Sequence, residues 1–146
     1  MRALITGLSR ASGRAQVVRA ALESVPLQIH DLLKAMAGPV SLRELRVDGG
    51  PSGNSFLMQL QADLLEVPVM VASTDAASAR GAAFLAGRSA GIWLDIAAII
   101  QLLAPAATYL PAMSAPDRRQ VLSGWQAAIR QTLSQATDNA DSSPHQ

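Results

Sequence analysis

"RVDGGPSGNSFLMQLQADLL", Arg46–Leu65, carries a short apolar strand into two glycines and straight on into an amphipathic helix. Such a junction has two readings. It is a tight turn that reverses the chain, or a place where bare backbone comes close to a ligand. Glycine has no Cβ, so Gly49 and Gly50 permit φ > 0 and leave main-chain N–H groups accessible. The helix that follows aims its N-terminus, with orphan donors and a partial positive charge, at the same spot. The carboxyl end of a strand in an α/β sheet is also where ligands usually bind. Asn54 divides the same way, into a helix-capping side chain or a ligand contact. On spacing alone, the plain turn is as good a reading as the ligand.

The flanking sequence places the junction in an α/β chain. Upstream, Val17, Val18, Ala21, Leu22, Val25, Ile29, Leu32, Leu33 and Met36 mark one face of a long helix over Ala15 to Ala37. Ser12 suits its N-cap, and Gly38-Pro39 is a stop signal. Pro26 lies inside this pattern, where a missing N–H and a ring clash predict a kink or break costing about 3 kcal/mol. Leu42 to Val47 reads as a strand. Beyond the glycines, Pro51 and Ser52 suit a first helical turn, and Phe56, Leu57, Leu60, Leu64 and Leu65 form its inward face. Val67 to Ser73 is a second strand, with Pro68 near its start. Ser78 to Trp93 follows as a helix whose Gly81, Ala82, Ala86, Gly87 and Ala90 allow another backbone to approach. Ala3 to Leu8 is a brief β-compatible stretch ahead of all of these.

The expected order is strand, helix, strand, helix, strand, helix, then two more helices. Alternation of this kind favours parallel strands with crossover helices. Three short strands cannot close a sheet or cover both of its faces. The expectation is therefore a helix-rich α/β chain with a few short strands and an incomplete sheet.

Composition narrows the function classes. The 146 residues suit one domain, and 49% hydrophobic against 16% charged residues suits a globular chain. Aromatics are only 3%, so small-residue helix packing should dominate the core. A net charge of +1, with acids and bases interspersed, argues against a nucleic-acid partner. Absence of cysteine excludes disulfides, thiolate metal sites and cysteine nucleophiles, and a reducing cytoplasm is the expected compartment. "MRALITGLSR" is too short and polar for a signal peptide. Gly91 to Met113 is the most hydrophobic stretch, but Asp95, Gln101 and Pro105 interrupt it. A buried amphipathic helix is expected there, not a membrane span.

Single polar residues suggest no active site. Asp48, Asp63 and Asp95 are lone carboxylates with capping or solvation roles, because nothing pairs them as an acid/base couple. His30 has no second histidine at ligand spacing. Arg10, Arg14 and Arg19 read as a solvated or interdomain face. No catalytic residue and no metal ligand is expected in the chain. Residues 1–136 form the expected folded part, and 137–146, polar and patternless and including His145, the expected disordered tail.

Beyond the glycines themselves, the wider context is specific. "LRVDGGPSGNSFLMQLQADLLEVPV", Leu45–Val69, resembles the adenosine-binding motif of the FGGY carbohydrate kinases, glycerol kinases above the other members. "GLSRASGRAQVVRAALESVPLQIHDLLKAM", Gly7–Met36, is similar to the family's Gly-Leu-Thr-Arg-Gly segment and its Arg-Ala-x-Leu-Glu helix. "GAAFLAGRSAGIW", Gly81–Trp93, resembles its Gly-Ala-Ala-Tyr-Leu-Ala-Gly helix. The likeness runs from about Arg2 to Trp93, and "SGWQAAIRQTL" is similar to the closing helix.

The resemblance implies an actin-like ATPase (ribonuclease H-like) fold of two domains, with ATP and sugar bound between them. This chain matches the end of the second domain. By that pattern Gly50 and Asn54 contact the nucleotide, Gly49 forms the loop, and Gly53 and Ser52 lie close by. Asp48 has no catalytic role. The implied reaction is transfer of the ATP γ-phosphoryl, with Mg²⁺, to a hydroxyl of glycerol or a related sugar. The family's catalytic base, phosphate loop and sugar contacts have no counterpart in these residues, so the chain is expected to be inactive alone. Its expected partner is the missing N-terminal kinase domain or another copy of itself, with a polyol or sugar substrate only in the full-length context. Alternatives are a xylulokinase-type fragment, a non-catalytic interaction module and a gene remnant. Pro26, Ser55, Arg80 and "SRAS" depart from the family pattern.

Overall fold

A computed structural model describes residues 4–36, 42–73, 77–93 and 95–141. Its elements run α1 (Arg14–Met36), β1 (Leu45–Val47), a 3₁₀ turn (Gly50–Gly53), α2 (Ser55–Leu65), β2 (Val69–Val71), α3 (Ala77–Ser89), α4 (Ile96–Gln101), β3 (Ala107–Tyr109) and α5 (Ala115–Asp141). The strands form a three-stranded sheet in the order β1-β2-β3.

Helix α2 is the centre of the molecule. One side of it, Leu57, Met58 and Ala62, packs on the sheet through Val69 and Val71, with Leu45, Val47, Ala107 and Tyr109 around them. Its other side, Leu60 and Leu64, meets Leu27 of α1 and Met113, Val121, Leu122 and Trp125 of the α5 region. The result is a layer of sheet, then α2, then α1 and α5. A helix apolar on two sides is what such a sandwich requires, because each buried apolar face must be matched by another element.

The buried layer also contains polar anchors. Asp63 Oδ1 accepts from Ala112 N at 2.7 Å, Met113 N at 3.0 Å and Gln59 Nε2 at 3.0 Å. A carboxylate expected to be solvated thus ties the segment before α5 to α2. Trp125 Nε1 donates to Asp31 Oδ2 at 2.6 Å, which locks α5 to α1. Glu66 closes α2 in the left-handed conformation, φ 57°, and pairs with Arg118.

Several expectations are corrected. The sheet is mixed: β1 and β2 are parallel with Leu45 opposite Val69, but β3 runs antiparallel with Tyr109 opposite Val69. That third strand lies inside the stretch expected to be one buried helix, which instead divides into α4, a turn and β3. No strand forms over residues 4–8, and Ala3 lies outside the described residues. Helix α1 runs unbroken through Pro26, which is fully buried against α2. Proline removes a single donor, and packing on both sides of the turn holds the helix together. Ser12 does not cap α1; its hydroxyl accepts from Ser9 N, and Gln16 Oε1 takes Gly13 N instead. Of the small residues of α3 only Gly87 is buried, and it meets a side chain, not a backbone: a Cβ there would overlap the Trp93 ring, while Gly81, Ala82, Ala86 and Ala90 are exposed. That ring also stands edge-on to Phe84 at 5.3 Å.

Asp95 does cap α4, accepting from Ala98 N at 2.8 Å. Gly38-Pro39 and His145 lie outside the described residues, and α5 runs to Asp141.

Candidate nucleotide-binding loop

The segment from Asp48 to Asn54 leaves the carboxyl end of β1 and enters α2 through one 3₁₀ turn. Local chemistry builds it. Ala72 N donates to Val47 O, which ends the parallel ladder beside the loop. Asp48 Oδ1 accepts from Gly49 N at 2.7 Å, so this carboxylate is used within the loop. Gly49 sits at φ 96°, where an L side chain is strained, so a turn requires glycine there. Its carbonyl accepts from Ser52 N at 3.0 Å and Ser52 Oγ at 2.6 Å. Ser52 is buried and staples the loop from beneath.

Gly50 differs from its neighbour. Its φ is not in the left-handed region, and a Cβ built on it meets nothing within 4 Å. Gly53 is equally open. Nothing in the fold of the described residues requires glycine at either position. The Gly50 N–H has no acceptor among the described residues.

Asn54 caps α2. Its Oδ1 accepts from Phe56 N at 3.1 Å and Leu57 N at 3.3 Å. The capping reading of Asn54 therefore holds, and it uses only the oxygen. The amide Nδ2, a two-proton donor, has no partner among the described residues and sits on an exposed residue beside Gly50 and Gly53. The structure thus brings Gly49, Gly50, Gly53 and Asn54 together at one strand end. It assigns Gly49 a backbone role, Asn54 a capping role, and Gly50 and Gly53 no internal role.

Phe56 departs from its expected inward place. It lies exposed at the start of α2, with the Arg19 guanidinium 5.2 Å from its ring centre. Together with Arg14, Ala15, Val18 and Leu22 they line an open groove of about 680 Å³ between α1 and α2. The helical spacing around Phe56 cannot reveal this, since α2 is apolar on nearly every side. Arg80 keeps its charge at the surface by donating to Ser73 Oγ at 3.1 Å.

Residues 1–90 match the C-terminal domain of the FGGY family of carbohydrate kinases. The chain belongs to that family. A glycerol kinase of Polaromonas naphthalenivorans is 43% identical over 90% of this chain and 28% of its own length. One from Rhodospirillum centenum is 45% identical over 94% of this chain and 28% of its own. The chain therefore spans little more than a quarter of the curated relatives it matches. Among solved structures, the Plasmodium falciparum glycerol kinase with ADP superposes at a TM-score of 0.85 and 29% identity, over 90% of this chain and 27% of that one. A xylulose kinase of Lactobacillus acidophilus shares the fold, at a TM-score of 0.72 and 22% identity over 88% of this chain and 26% of its own. The helix-rich chain with its small incomplete sheet is thus part of the actin-like fold of the FGGY kinases.

No group of three or more His, Cys, Asp or Glu among the described residues could hold a metal ion. The Gly50 N–H and the Asn54 amide are both left without a partner among the described residues. No helix of the described residues is long and apolar enough to cross a membrane.

Proposed function

We propose that this chain is the nucleotide-side portion of a glycerol kinase-like enzyme, a cytoplasmic phosphotransferase acting from ATP on glycerol or a related polyol. The observation that supports this most is Gly50. A glycine that the fold itself does not need, next to one that it does, is what a backbone in contact with a ligand requires. Gly49 shapes the loop, the Gly50 N–H and Asn54 Nδ2 donate to the nucleoside, and Gly53 leaves room beside them. The glycerol kinase reading is favoured over xylulose kinase by identities of 40–45% to glycerol kinases and by the difference in TM-score, 0.85 against 0.72.

ATP supplies the transferable phosphoryl group and, with it, Mg²⁺ bound to the phosphates. Among the described residues no group of three or more His, Asp or Glu could hold the ion by itself, and the resemblance leaves the base for the acceptor hydroxyl outside this portion. Phosphoryl transfer depends on positioning and charge neutralisation from both sides of a cleft. The chain alone should hold a nucleoside weakly and turn nothing over. A purified sample phosphorylating glycerol above a vector-only control would overturn that division of labour.

The direct test grafts residues 42–73 into a full-length glycerol kinase in place of the corresponding segment. Gly50→Val should weaken nucleotide binding while leaving the melting temperature near that of the parent graft. Unchanged affinity in the folded variant would sink the nucleotide-loop reading.

A further inference from the structure

We propose that the sheet face turned away from α2 carries a second binding site, a pocket for a small organic anion between Arg46 of β1 and Arg80 of α3. Strand geometry sets it up, because successive side chains point to opposite faces. Leu45, Val47, Val69 and Val71 pack toward α2, so Arg46 and its cross-strand neighbour Met70 face the other way. Arg80, near the start of α3, donates to Ser73 Oγ just past β2. The turn before β3 adds Leu103 and Pro105. Ala106 N donates to Val71 O at 2.9 Å and fixes that turn at the end of β2. Together these side chains line a pocket of about 160 Å³.

The charge of this pocket is one-sided. Two arginines line it and no carboxylate does. Glu44 Oε1 accepts from Arg46 Nε at 2.8 Å, which leaves the terminal N–H groups of that guanidinium without an acceptor among the described residues. Arg80 meets only the neutral Ser73 hydroxyl, and it is half-buried with no ion pair among the described residues. A cation partly withdrawn from water is unfavourable until an anion completes it. Guanidinium forks match the oxygens of a phosphate or a carboxylate, two N–H groups to one oxyanion. The rest of the wall is apolar, through Met70, Leu103 and Pro105, and suits a short hydrocarbon body.

Size decides the class of ligand. A volume of about 160 Å³ lies below the roughly 300–1,000 Å³ of sites that enclose larger organic ligands. A nucleoside is too large for it. The ligand is therefore a phosphate monoester or a carboxylate on a chain of a few carbon atoms. The pocket and the candidate nucleotide loop both lie by the carboxyl end of β1, but they share no polar side chain, and the anion site does not rest on the kinase reading. Arg80 is also one of the residues that depart from the family pattern, so the site belongs to this chain in particular.

The test titrates the isotope-labelled full chain with n-butyl phosphate, butyrate and n-butanol at constant ionic strength, reading backbone amide shifts by NMR. At least one of the two anions should give saturable shifts at Val47, Met70 and Ala72, and the tighter of them names the oxyanion. The neutral alcohol should give none. Arg80→Gln and, separately, Arg46→Gln should each weaken the tighter probe by about tenfold, because one guanidinium fork is lost. Arg88→Gln, exposed in the last turn of α3, should leave it unchanged. Melting temperatures check that each variant is folded, and two arginines on separate elements guard against one misfolding. Absence of saturable shifts with both anions overturns the site. So does unchanged affinity in both folded glutamine variants, or binding of n-butanol as tight as that of n-butyl phosphate. ADP, added separately, should leave the pocket amides unmoved. Competition between ADP and n-butyl phosphate at Met70 would return the arginines to the nucleotide site and overturn a separate pocket.

Discussion

Helices α1 and α2 differ in how they are finished. Over eleven residues α2 buries Leu57, Met58, Leu60, Gln61, Ala62, Asp63 and Leu64, while α1 buries only Pro26 and Leu27 over twenty-three. Both carry apolar residues at helical spacing. The contrast teaches that apolar periodicity announces that a helix has a partner, not that the partner is in the same chain. Where partners are present, as on both sides of α2, even an aspartate and a glutamine are drawn inside and satisfied. Where they are absent, valine and leucine stay in water.

The comparison would break first at Leu64, which is 3% exposed between α1 and α5. Leu64→Ala should lower unfolding free energy by about 2–5 kcal/mol, as read by urea denaturation. A loss below about 1 kcal/mol would mean that the second layer is loosely packed. Asp63→Ala should cost about 3 kcal/mol, because it strands the Ala112 and Met113 N–H groups in a buried site. Amide exchange should quicken at those two residues in particular. A uniform change in protection would contradict the anchor.

The loop feeding α2 sharpens the contrast within two adjacent residues. Gly49→Ala forces a side chain to φ 96° and ψ 170° and should cost about 1–3 kcal/mol in thermal unfolding. Gly50→Ala should stay within about 0.5 kcal/mol, since the added methyl meets nothing. Equal losses at both positions would return the pair to a plain turn. The smallest effect belongs to the outer face of α1. Leu32→Ser should change the stability of the isolated chain by no more than about 0.5 kcal/mol. A loss like that of Leu64→Ala would show that this face is already covered in solution.

Legibility followed the same line. The junction from β1 to α2 was readable because each of its signals is local: a β-compatible run, glycines, an Asn cap and then a helical period. Helix α1 was readable over nearly its full length for the same reason, and Asp95 as a cap likewise. Strand β3 was not, because Thr108 and Tyr109, though strand-favouring, are too short a signal in an Ala- and Pro-rich stretch. It exists by pairing with β2, antiparallel, with Tyr109 opposite Val69. The burial of Asp63 was equally hidden, since its partners lie 49 and 50 residues away. In the loop, the residue set was readable, but which glycine serves the fold was not.

What the sequence determined by itself is the family, the glycine-rich junction from β1 to α2 with Asn54 as its cap, and the helical periods of α1 and α2, because short-range spacing and residue type encode them. Tertiary structure alone decided which of two apolar faces α1 buries, that Phe56 turns outward beneath Arg19, and that β3 completes a mixed sheet. Each of these depends on which surfaces meet across tens of residues. Apolar pattern specifies that a surface will be buried somewhere; only the packed layers determine against what.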